Sequence, residues 1–103
     1  MMTDYYEYSI PELVRMLGLR FKDYRLRCEM TQRDVSEQSG IAVNTIHKFE
    51  TGKATNISLG TFLLLMKAIG CIERLDELMP ELPVSAYLVN EGKKVQRIRH
   101  KSV

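Results

Sequence analysis

Apolar side chains recur along this chain at the spacing of helices rather than of strands. Leu13, Leu17, Phe21, Tyr24 and Cys28 follow one another at intervals of four, four, three and four residues, one stripe of a single helix. Ser9-Ile10-Pro11-Glu12 precedes the stripe in the S-x-x-E form of a capping box, and Pro is tolerated in a first turn. A first helix is therefore expected to reach about Cys28. Thr31 is the next N-cap, with Gln32 in the first turn and Asp34 at the third helical position, and Gly40 stops that helix early. A third helix is expected from about Val43 to Thr51, with Gly52 at its C-terminal cap. Ser58 caps a fourth that carries Leu59, Phe62, Leu63, Met66 and Ile69 and ends at Gly70. A fifth covers roughly residues 72–79 and is closed by Pro80 and Pro83. No segment alternates at the period of a strand, and Asn-Gly and Asp-Gly hairpin signals are missing. The pattern is all-α, five helices and then a tail.

Composition adds bounds. At 103 residues and 45% hydrophobic content the chain is one domain with short extensions: 1–8, a helical domain over 9–80, and 81–103. Its core is modest, so a homodimer is a natural way to bury more apolar surface, with residues 72–79 and 82–88 as the candidate contact. Residues 84–90 could add a helical turn or two. The longest apolar run, residues 62–66, is far below the roughly 18 residues that span a bilayer. The first bases come only at Arg15, so no basic leader region precedes an apolar stretch, and a cytoplasmic protein without membrane contact is expected. Cys28 and Cys71 belong to no C-x-x-C pair and have no clustered His, which argues for two reduced core thiols and against a metal site.

The formal charge of +2 is uninformative until it is divided along the chain. Residues 1–12 carry three acids and no base, whereas residues 13–53 have a net charge of +3. Residues 54–91 return to −3, and residues 92–103 carry five bases and no acid. Positive charge is thus concentrated within residues 13–53 and on the tail, as binding to phosphates requires.

Residues 32–53 constrain their own geometry. Two helices that cross steeply need a small residue at the contact and a turn residue that accepts positive φ; Ser36 and Gly40 supply these. Val35, Ile41, Ile46 and Phe49 are spaced to fill the wedge. Val43, Asn44, Thr45, His47, Lys48 and Thr51 are left on the outside of the third helix.

With Thr31-Gln32, Val35-Ser36, Gly40-Ile41, Thr45-Ile46, Phe49-Glu50-x-Gly52 and Ser58-Leu59-x-Thr61-Phe62 in this order and spacing, the chain resembles the phage-repressor-like, or Xre, family of helix-turn-helix regulators. The resemblance covers about residues 13–80 and implies a lambda-repressor-like DNA-binding fold. It departs at two places: Ser36 stands where the family usually has Ala, and Ala42 where Ser or Thr usually caps the recognition helix. A missing N-cap costs on the order of 1 kcal/mol.

The resemblance implies roles for particular residues. Gln32 matches a position that binds a backbone phosphate. Val43, Asn44 and Lys48 match positions that face base edges, Thr45 one that touches phosphate, and Lys53 lies in the loop flanking the DNA backbone. His47 shares their exposed face. The chemistry agrees: Asn pairs with adenine N6/N7, Lys donates to guanine O6/N7, and Val43 can pack on a thymine methyl. The resemblance also implies a partly buried structural ion pair between Arg25 and Glu50, with no catalytic role for Glu50.

Sequence-specific regulation of transcription, as a repressor reading the major groove of double-stranded DNA with the third helix, is the expected function. The alternative is an antitoxin similar to HipB, which neutralises a HipA-like kinase toxin and represses its own operon; residues 59–79, the Pro80/Pro83 break and the basic residues 92–101 carry that resemblance. A protein-interaction module that merely uses the fold is a further alternative, decided by whether Gln32, Asn44, Lys48 and Lys53 share a face free of acids. RNA binding is disfavoured because residues 32–53 offer no exposed aromatic for stacking. An enzyme is not expected: there is no metal-ligand cluster, G-x-S-x-G, P-loop or Cys-His pairing, and no cofactor is implied. The basic tail is either a solvated terminus, an arm along phosphates, or a partner-binding segment.

Overall fold

A computed structural model describes residues 4–84. The basic arm at 92–103, the helical turns expected at 84–90 and most of the dimer contact suggested at 82–88 lie outside the described residues. Five α-helices follow in order, α1 (Ile10–Arg27), α2 (Gln32–Ser39), α3 (Val43–Glu50), α4 (Leu59–Ala68) and α5 (Leu75–Leu78), with no strand among the described residues. Single 3-10 turns at Tyr5–Glu7 and Ile72–Arg74 complete the order. The chain divides into two compact units, Met1–Glu73 and Arg74–Val103; the first holds α1 to α4 and the second α5.

Local chemistry sets most helix ends. Ser9 and Glu12 make a reciprocal capping box, with Glu12 N–H donating to Ser9 Oγ at 3.3 Å and Ser9 N–H to Glu12 Oε1 at 2.8 Å. Thr31 and Asp34 repeat the device on α2 at 3.0 and 2.9 Å. Both carboxylates are held below their ordinary pKa, chiefly by the backbone N–H donated to each. Ser58 accepts from Thr61 N–H to open α4. Gly40 closes α2 in the left-handed region at φ +77°. Between α1 and α2 no glycine is present, and Glu29 takes the left-handed turn instead at φ 55°.

The buried face of α1 is not the expected Leu13/Leu17/Phe21/Tyr24/Cys28 stripe. It runs through Val14, Gly18, Phe21 and Arg25, while Leu17, Tyr24 and Cys28 are exposed. The helix is turned so that Gly18 meets α3: a methyl group added there would overlap the backbone carbonyl oxygen of Phe49. Close approach of two backbones outweighs the burial of one more leucine.

Val14, Phe21, Val35, Ile46, Phe49, Leu65 and Ile69 form the core of the first unit. Phe49 is its centre, with ring centroids 5.8 Å from Phe21 and 6.2 Å from Phe62, the latter edge-on. On α4 the fully buried residue is Leu65, not Leu59, which is exposed; Leu63 and Met66 are half-buried. Cys28 is likewise no core thiol. Its Sγ lies 3.6 Å from the carbonyl oxygen of Ile69, and Cys71 Sγ lies 3.8 Å from the same oxygen, so both thiols donate to one acceptor despite their separation in sequence. The helix expected at 72–79 breaks into a 3-10 turn and the four-residue α5, whose N-cap, Arg74, makes no side-chain capping bond. No helix among the described residues is long and apolar enough to cross a membrane.

Candidate nucleic-acid interface

α3 is eight residues long and is held from one side. Ile46, Phe49 and Glu50 are buried; at 100° per residue the opposite side is centred on Asn44, Lys48 and Thr51, spaced four and three residues apart. Thr45 and His47 flank that line; Val43, the first residue of α3, is 41% exposed but lies on the Glu50 side of the helix, off that line. Asn44, Thr45, His47 and Lys48 are all exposed, so their polar groups are available to a ligand. The one acid on α3, Glu50, is only 2% exposed. The outward face of α3 therefore carries no carboxylate.

The loop after α3 is fixed by its backbone. Thr51 N–H donates to the carbonyl of His47 at 3.0 Å, and Thr51 Oγ1 donates to it at 2.8 Å. The carbonyl of Lys48 accepts from both Lys53 N–H and Ala54 N–H, at 3.0 and 3.1 Å. Gly52, at φ +78°, makes this reversal possible. Lys53 thus leaves a pinned backbone with an exposed ammonium. At the other end, Ala42 adopts the extended conformation of an N-cap but makes no side-chain capping bond. The first-turn N–H groups of α3 are left without a side-chain oxygen at the positive end of the helix dipole.

Beneath the face lies a buried polar network. Arg25 Nε and Nη2 each donate to Glu50, both at 2.7 Å, and Arg25 Nη1 donates to the carbonyl of Met30 at 2.8 Å. The guanidinium is held above its ordinary pKa first by the hydrogen bonds to Glu50, against the opposing effect of burial, with the charge of Glu50 adding to the shift. Gln32 Nε2 donates to Glu50 Oε1 at 3.1 Å. An amide nitrogen carries two hydrogens, so the second remains for an outside acceptor. Gln32 is accordingly half-buried and fixed in direction. Sequence reasoning missed this bond, since no spacing rule links residues 18 apart on different helices.

Thr31 to Lys53 hence presents Gln32 at the start of α2, the Asn44/Lys48 line on α3 and Lys53 at its exit, with helix N-termini and cations that can meet an anionic polymer. Residues 21–73, half of the chain, match the family described as helix-turn-helix. No curated protein and no solved structure matches the chain.

Proposed function

Because the chain belongs to the helix-turn-helix family of Xre and lambda-repressor type, we propose that it is a sequence-specific DNA-binding repressor that reads the major groove with α3. The observation that carries the reading is the outward line of Asn44 and Lys48, exposed on a helix whose opposite side is anchored by Ile46, Phe49 and Glu50. Asn44 and Lys48 pair with base edges, Val43 packs on a thymine methyl, and His47 contacts either base or phosphate. Gln32, Thr45 and Lys53 contact backbone phosphates and set the register. The protein acts as a homodimer in the cytoplasm, its two α3 helices on half-sites about 34–36 Å apart.

The second reading, an antitoxin similar to HipB that binds a HipA-like kinase and represses its own operon, uses the same α3 face; it draws on residues 59–79, the Pro80/Pro83 break and residues 92–101, the last of which lie outside the described residues.

Selection of bound sequences from a pool of random duplexes tests the reading, followed by titration of the selected site. A paired site is expected. Asn44→Ala and Lys48→Ala should each weaken it by roughly 5- to 150-fold, corresponding to about 1–3 kcal/mol per base contact, with unchanged melting because both side chains are exposed. Undiminished sequence preference in both variants would exclude α3 as the reading element.

A further inference from the structure

Arg15 lies six residues before the segment that matches the family, yet its side chain reaches the loop at the exit of α3. Its Cγ, Nε and Cδ come within 2.9, 3.0 and 3.1 Å of the point that a Cβ on Gly52 would occupy. Gly52 therefore has two reasons to be glycine: its φ of +78°, and the seat it leaves for this arginine. The neighbouring Lys53 is exposed and its backbone is pinned to the Lys48 carbonyl. Arg15 is itself exposed, and among the described residues it enters no ion pair. The acid one turn before it, Glu12, has its Oε1 engaged by Ser9 N–H at 2.8 Å.

We propose that Arg15 is a phosphate-contacting residue that extends the nucleic-acid interface from the α3 exit onto α1. The inference rests on the DNA-binding reading above. An arginine stem laid on a glycine loses less freedom when it binds, and a guanidinium presents a planar fork of donors that fits two phosphate oxygens. Arg15 and Lys53 approach the same loop from two elements and form one cationic edge beside the reading face. The contact is to the backbone, so it contributes to affinity for every sequence alike.

Binding of a fluorescent random-sequence duplex, followed by anisotropy over a range of salt concentrations, tests this without knowledge of the operator. Loss of one phosphate contact lowers the slope of log K against log salt by about 0.9. Arg15→Gln should lower the slope by that amount with unchanged melting temperature, and Arg15→Lys should restore it. Lys67→Gln removes the same charge from the last turn of α4 and should leave the slope as it was. An Arg15→Gln slope equal to the parent's overturns the proposal, as does an equal fall in Lys67→Gln, which would mean only net charge matters. Failure of the parent to bind at all overturns the DNA reading, and the Arg15 contact with it.

Discussion

Arg25 of α1 and Glu50 of α3 grip each other at 2.7 Å through both carboxylate oxygens, inside a core that is otherwise apolar. With the Met30 carbonyl and Gln32 they leave no buried side-chain nitrogen or oxygen unsatisfied among the described residues. Glu50→Ala strands the guanidinium and is expected to cost roughly 3–5 kcal/mol. Replacing both partners, as Arg25→Met with Glu50→Leu, should recover most of that loss. Urea denaturation of the single and double variants measures the coupling, and additive losses would show that the pair does not act as a unit.

Gly18→Ala places a methyl group against the Phe49 carbonyl oxygen, which is backbone and cannot swing aside. The α1–α3 contact must open, at a cost of about 3 kcal/mol or more. Gly60→Ala provides the contrast, since a Cβ there meets nothing within 4 Å. It should be neutral or stabilise by up to about 1 kcal/mol. Thermal melts should therefore show a lowered midpoint for Gly18→Ala and an unchanged or raised one for Gly60→Ala.

Ala42→Ser restores an oxygen where α3 begins. The extended backbone at Ala42, φ −61° and ψ 142°, already suits a capping side chain. A gain of about 1 kcal/mol is expected. Calorimetry decides the point, and a variant no more stable than the parent would show that solvent satisfies those N–H groups equally well.

Asp34 and Glu12 give a pH dependence with a definite sign. Both carboxylates have lowered pKa in the folded chain because capping N–H groups bind the charged form. Their stabilisation is complete above the ordinary carboxylate range and is lost as pH falls through the folded values. Asp34→Asn should thus be less stable than the parent at neutral pH, with the gap narrowing in acid. Melts across that range would contradict this if the gap stayed constant.

Helix boundaries were legible wherever the determinant was a few residues long. Ser9/Glu12, Thr31/Asp34, Ser58, Gly40 and Gly52 each act within one turn of their own position, and the chain forms its caps and reversals there. The 3-10 turn at Tyr5–Glu7 carries a similar signal in Asp4, whose side chain accepts from Tyr6 N–H, but three residues are too short a run to show a periodicity. The facing of α1 was not legible, because hydrophobicity ranks Leu17 and Tyr24 above Gly18 and Arg25, and only the presence of α3 reverses that order. On α3 itself, Ile46 and Phe49 fix the inner side so firmly that the outer one follows. Arg15 escaped notice for the opposite reason: its significance depends on what lies across Gly52, 37 positions later in the chain.

The eight residues of α3 are too few to form a helix alone, and no side chain caps their start. Their shape is lent by the pocket that holds Ile46, Phe49 and Glu50. A peptide cut from this region would carry the same letters with no fixed spelling. Kept on its frame, the segment separates two vocabularies: positions 46, 49 and 50 speak only to the protein, while 44, 47 and 48 can be rewritten without disturbing them. Substitutions at 44, 47 and 48 therefore change the outward chemistry of α3 without redesigning the fold that holds it.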